Sequence, residues 1–180
     1  TLLFSVANYM EVAQRYIRGL ERRHEAGQDI SHIGSVASFF LSRIDTVVDN
    51  ILESNIRAGR MRGGYERAQL NRTLQGQAAI ASAKLAYDHF RELFESERFQ
   101  KLAAAGARVQ RPLWASTSTK NPAYPDTYYV DALIGPHTVN TLPPHTIEAF
   151  KDHGTVRVTL TEGVDEARTV LAQLAEVGVR

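Results

Sequence analysis

The chain opens on an apolar run, residues 1–5 (TLLFS), that ends at a hydroxyl and predicts a short strand. From Val6 to about Ala26 the apolar positions Val6, Tyr9, Met10, Ala13, Tyr16, Ile17 and Leu20 recur at helical spacing, and Gly27 supplies the stop. Ile30 to Phe40 (ISHIGSVASFF) predicts a second strand. Arg43, Ile44 and Asp45 open the next helix, with Ile44, Val47, Val48, Ile51 and Leu52 as its apolar stripe. The basic run from Arg57 to Arg67 (RAGRMRGGYER) reads as an exposed linker between helices. After it comes the longest helical stretch, about Gln69 to Ala105, which Gly76 and the polar segment Glu95 to Glu97 divide.

A third strand begins at Val109, with Pro112 at its entrance and Leu113 and Trp114 as buried positions. It breaks into a loop dense in turn residues through Asp126. Tyr128 to Ile134 predicts a short helix and Thr138 to Leu142 a fourth strand. Pro144 to His153 is a helix ended by Gly154, and Val164 to Val177 an amphipathic helix stopped by Gly178. Four apolar strands separated by helices make repeated βα units, and crossovers of that length demand parallel strands. The closed solution for such units is an eight-stranded barrel with its site at the carboxyl ends of the strands, of which only half are here. A doubly wound sheet fits the same pattern. No dinucleotide fingerprint or P-loop motif follows any strand.

Composition narrows the class. The 180 residues are 43% hydrophobic and 23% charged, as in a globular single-core protein. With 21 basic and 20 acidic residues, the formal charge of +1 points to neither nucleic acid nor a membrane surface as partner. No apolar run is long enough to span a bilayer, and the first residues lack signal-peptide pattern, so the expectation is a soluble cytoplasmic chain. The absence of cysteine suits a reducing compartment and excludes disulfide and thiolate chemistry. A start inside an apolar strand predicts that something precedes Thr1 in the native protein.

Candidate chemistry gathers at two strand ends. Ser116, Thr117, Ser118 and Thr119 place four hydroxyls beside Lys120, the equipment a phosphate or polyol needs, although a solvated Ser/Thr-rich loop has the same composition. Ser38 ends the second strand and Arg43 lies where the next helix begins. A cation there opposes the helix dipole, a conflict that a bound anion or an ion pair with Asp45 or Asp49 would remove. Arg43 and Lys120 together could clamp one phosphate. His137 and His145 lack metal-ligand spacing and read as solvated turn residues, and Trp114 reads as packing rather than a sugar platform.

The segments TLLFSVANY, VASFFLSRID, QAAIASAKLAY, VQRPLWASTSTKNPAYPDTYYVDALIGPHTVNTLP and HTIEAF, in this order, resemble the C-terminal half of transaldolase in its long bacterial and plant-like branch. The resemblance implies an α/β fold, the C-terminal half of a (β/α)8 TIM barrel with four βα units and additional helices, over residues 1–180. It implies transfer of a dihydroxyacetone unit from sedoheptulose 7-phosphate or fructose 6-phosphate to an aldose phosphate, in the non-oxidative pentose phosphate pathway, without metal or organic cofactor. The implied Schiff-base lysine belongs to the strand before TLLFS, and none of Lys84, Lys101, Lys120 and Lys151 lies on such a strand. This chain alone is therefore expected to be inactive. The carried-over positions are Thr1, which would help hold the catalytic water, and the substrate contacts Ser38, Phe40, Arg43, Ser116 and Lys120. Implied partners are phosphorylated sugars, together with the N-terminal half of the barrel or another copy covering the open sheet edges. The alternatives are a non-catalytic phosphosugar-binding half-barrel or interaction module, and a different phosphosugar lyase or isomerase on the same barrel.

Overall fold

The computed structural model describes residues 1–61 and 64–179. Among them, four strands and eight helices run in the order β1 (Leu2–Leu3), α1 (Val6–Glu25), β2 (Ser35–Phe40), α2 (Leu41–Met61), α3 (Tyr65–Thr73), α4 (Ala78–Phe94), α5 (Glu97–Ala104), β3 (Gln110–Ala115), α6 (Tyr128–Ala132), β4 (Val139–Asn140), α7 (Pro144–His153) and α8 (Val164–Glu176). The strands form one parallel sheet in sequence order, β1-β2-β3-β4. A doubly wound sheet reverses its strand order at a switch point, and this sheet has none. Its order is that of consecutive barrel strands, half an α/β barrel that is not closed.

Local chemistry explains the boundaries. Ser5 caps α1 by accepting the Asn8 N–H (3.2 Å), and Gly27 leaves it at φ +70°, where a side chain would be strained. The predicted long helix is three helices. Gly76 at φ +73° separates α3 from α4, and Ser96 caps α5 through the Phe99 N–H (3.3 Å). The structure departs from the sequence reading at several points; α2 begins at Leu41 rather than Arg43, and β4 is shorter than Thr138 to Leu142. The second strand starts at Ser35, not Ile30, because Asp29 accepts the Ser31 N–H (2.9 Å) and bends the chain first. The supposed basic linker is largely helical, with Arg57 on α2 and Arg67 on α3; Arg62 and Gly63 lie outside the described residues. Pro112 sits inside β3 opposite Ala37 rather than at its entrance. It is tolerated because β4 pairs only with Leu113 and Trp114, leaving one flank of β3 bare at the proline.

The sheet sorts its side chains by alternation. Leu3, Phe39, Trp114 and Asn140 share one row, and the first three are buried beneath the helices. Phe39 lies 5.8 Å from both Tyr9 and Trp114, and Trp114 donates its indole N–H to the Leu133 carbonyl (3.0 Å). Trp114 is thus core packing. The adjacent row, Leu2, Ser38, Leu113 and Val139, lines the opposite face, where Leu2 is 66% exposed. In α2, Ile44, Val48 and Leu52 are buried as predicted, but Val47 and Ile51 of the predicted stripe are exposed.

Candidate functional site

The carboxyl ends of β2 and β3 carry the polar groups. β2 runs without a loop into α2, so Phe40 ends the strand and Arg43 stands in the first turn of the helix. The Arg43 guanidinium carbon lies 4.8 Å above the Phe40 ring, whose other neighbour is Phe4, stacked at 5.5 Å. A flat cation over an aromatic face keeps its N–H edge free to donate. Among the described residues Arg43 makes no ion pair, so the Asp45 and Asp49 pairing left open by the sequence does not form. Asp45 instead accepts from the Tyr129 hydroxyl (2.8 Å) and the Ala79 N–H (2.7 Å). Asp49 accepts from the Tyr124 hydroxyl (2.6 Å) and the Gly76 N–H (2.8 Å).

Ser116 leaves β3 at φ +52°, a left-handed conformation uncommon for serine, and its carbonyl accepts the Ser42 N–H (3.1 Å). That bond joins the end of β3 to the start of α2. Thr117 is buried and donates to the Thr141 carbonyl (2.7 Å), anchoring the loop to the chain after β4. Lys120 is exposed, and its ammonium donates to Ser118 Oγ (3.0 Å). It borders a cavity of about 160 Å3 shared with Ser42, Asp45, Asp49, Asn121 and Tyr124. The Ser42 hydroxyl is buried there without a hydrogen-bond partner.

The predicted residues therefore fall into two sets. Ser38 and Phe40 lie on the open face of the sheet, with Arg43 just beyond them over the Phe40 ring; Ser116 and Lys120 follow β3 and meet α2 through the Ser42 bond. Thr1 is exposed and precedes β1; its carbonyl accepts the Ser38 N–H (2.9 Å), and the residue registered against Ser38 is Leu2. Asp45 and Asp49 of α2 and the tyrosines that bind them were not singled out as site residues from sequence. Their signal was a pair of carboxylates one turn apart, next to the apolar stripe of Ile44, Val48 and Leu52.

Burial pushes the Asp45 carboxyl up to about 6, with the Asp49 charge adding to the rise and the bonds from Ala79 and Tyr129 opposing it. None of the four lysines lies on a strand. Lys84 on α4 donates to the Thr159 (3.2 Å) and Glu162 (2.6 Å) carbonyls, and its burial lowers its pKa. Lys151 pairs with Glu148, and Lys101 lies on α5. His137 and His145 are both exposed, and the described residues contain no cluster of three or more His, Asp or Glu side chains able to hold a metal.

A parallel, sequentially ordered sheet whose strand ends carry a guanidinium, an ammonium and several hydroxyls defines an α/β-barrel segment with its polar groups gathered at the carboxyl ends of the strands. The family model for transaldolase/fructose-6-phosphate aldolase matches residues 1–180, and the chain belongs to that family. It is 51% identical to a transaldolase of Mycolicibacterium paratuberculosis over 181 residues, covering 99% of this chain and 46% of that protein. It is 49% identical to a transaldolase of a Parafrankia species, covering 99% of this chain and 46% of the other. Transaldolase 2 of a Nostoc species is 50% identical over 176 residues, 98% of this chain and 46% of that protein. The chain spans about half the length of these relatives.

Proposed function

We propose that this chain is the substrate-binding, C-terminal half of a transaldolase. The observation that carries the reading is the family match along all 180 residues, joined by relatives about half identical that are named transaldolases. The same names weigh against a non-catalytic binding module or a different lyase or isomerase. The reaction moves a dihydroxyacetone unit from sedoheptulose 7-phosphate or fructose 6-phosphate to an aldose phosphate, as in the cytoplasmic non-oxidative pentose phosphate pathway. A lysine outside these residues condenses with the ketose carbonyl, releasing water. The resulting iminium takes the electron pair of the breaking carbon–carbon bond, and neither metal nor organic cofactor takes part.

The residues present hold the substrate. Arg43, laid over Phe40, donates its free edge to the phosphate, and Lys120 adds a mobile second charge from the next strand end. Ser38 and Ser116 contact hydroxyls of the sugar, and Thr1 assists the catalytic water. The partner is the N-terminal half of the same barrel, covering the open face at Leu2 and Phe4 and pairing the free edges of β1 and β4. The test mixes this chain with the N-terminal half of a relative, adds fructose 6-phosphate and borohydride, and maps the adduct by mass spectrometry. We expect an adduct only in the mixture, on a lysine of the added half. An adduct on one of the four lysines here would overturn the site assignment. Association without any adduct would favour the binding module, and self-association alone would make a second copy the occupant.

A further inference from the structure

Three hydrogen bonds tie the first turns of α2 to the chain after β3. The Ser42 N–H donates to the Ser116 carbonyl (3.1 Å), the Tyr129 hydroxyl to Asp45 (2.8 Å) and the Tyr124 hydroxyl to Asp49 (2.6 Å). Between the first of these and the other two, the loop stands away from the helix across the cavity of about 160 Å3 that Lys120 borders. Around that gap the loop meets α2 through polar bonds, while Tyr129 beyond it is packed in the core. Asp49 is a fixed anchor, because its second oxygen accepts the Gly76 N–H (2.8 Å). Tyr124 is coupled to Lys120 by a tight turn. Its N–H donates to the Asn121 carbonyl (3.1 Å), and the Asn121 side chain accepts the Ala123 N–H (2.9 Å).

Arg43 and Asp49 are six residues apart on one helix, a rigid separation of about 9 Å along its axis. We infer that Asp49 and Tyr124 are positioning residues for the anion-binding rim: their bond holds the turn bearing Lys120 at a set spacing from Arg43. Neither need touch substrate. The inference rests on the reading that Arg43 and Lys120 hold phosphate.

Titration of the 180-residue chain with inorganic phosphate, followed by NMR, tests this with Lys120→Met, Tyr124→Phe and the double variant; Tyr124→Phe keeps the ring and removes only the hydroxyl. Tyr124→Phe should weaken phosphate binding about fivefold, the net worth of one ordinary hydrogen bond. In the Lys120→Met background it should cost nothing further, because its effect runs through Lys120. Asp49→Asn is the second variant and should weaken binding in the same background-dependent way. If Lys120→Met weakens binding while Tyr124→Phe and Asp49→Asn do not, the positioning role is wrong and the clamp stands. An undiminished Tyr124→Phe effect without Lys120 overturns the inference too, as general loosening would produce it. Phosphate binding that is absent, or indifferent to Lys120→Met, removes the clamp itself and the inference with it.

Discussion

The two faces of the sheet are built from the same strands and differ in everything else. Toward the helices, Leu3, Phe39 and Trp114 are each at most 1% exposed, and the aromatic rings interlock at about 6 Å. On the other side, one residue along, Leu2 and Phe4 are at least half exposed, and Ser38, Phe40 and Leu113 are half-buried. A period of two therefore separates the groups that make this chain fold from those it presents. The 180 residues complete one face. The other carries apolar side chains, Leu2 and Phe4 among them, that stay exposed.

Substitutions on the two faces test that division directly. Trp114→Ala should cost about 3–5 kcal/mol, since it empties a large buried site and orphans the Leu133 carbonyl. Leu2→Ser, on the exposed row, should change stability by no more than about 0.5 kcal/mol. Denaturant titration of both checks this. A costly Leu2→Ser would mean that the open face is already covered in solution, most simply by a second copy. The concentration dependence of the midpoint would then reveal it.

A second contrast sets Asp45 against the unfolded chain. Its carboxyl is raised from 3.8 to about 6, chiefly by burial. Within that window the folded chain keeps a proton the unfolded chain has released, so this group's contribution to stability falls as pH rises. Asp45→Asn has no such proton. Lowering the pH from about 6 to about 4 should therefore stabilise the unaltered chain relative to the variant by up to about 3 kcal/mol. Above about pH 7 the difference between them should be flat. Parallel curves throughout would mean that Asp45 titrates as an ordinary carboxylate and is not sealed behind Tyr129.

What the sequence disclosed follows the same line between local and distant causes. Alternation and helical spacing placed α1, α7 and α8 almost to the residue, because Ser5, Gly27, Pro144 and Gly154 are local signals. The start of β2 was misplaced because Ile30 is buried, as a strand residue would be, while Asp29 turns the backbone beside it. Ser38, Arg43 and Lys120 were visible as chemistry, since polar groups at strand ends stand out from an apolar pattern. The Asp45–Tyr129 and Asp49–Tyr124 bonds were not. Their partners are 84 and 75 residues apart, and nothing in either stretch alone names the other. Arg43 shows the cost of reasoning locally: the nearest carboxylates on its own helix looked like partners, yet both are turned to donors from other elements.

Gly76 sharpens the contrast between the loop's attachments. A Cβ there would come within 2.7 Å of the Tyr124 ring, and the backbone is at φ +73°. Gly76→Ala should cost about 1–3 kcal/mol and displace Tyr124 from Asp49. If Tyr124 seats the loop, phosphate binding should weaken in Gly76→Ala as it does in Tyr124→Phe. A stability loss with unchanged phosphate affinity would separate the glycine's strain from the site.

A further attachment of the loop is at the surface, and it should matter least. His153 sits at the end of α7 with Nε2 2.8 Å from Asp126 and Nδ1 3.0 Å from Asp152. Only the imidazolium can donate from both nitrogens, so the Asp126 bond, and then the Asp152 bond, raise the histidine's pKa above its usual value. The sign is opposite in origin to that of Asp45. The charged form is favoured here, so the contribution is complete below the ordinary histidine range and is lost as pH rises through the raised pKa. All three side chains are about half exposed or more, and solvent screens them. His153→Gln should lower the melting temperature by no more than about 1 °C in mild acid and by nothing measurable at about pH 9. A larger loss than that of Gly76→Ala would invert the ranking. The loop bearing Lys120 would then be held from α7 at the surface, and the Tyr124–Asp49 bond would be secondary.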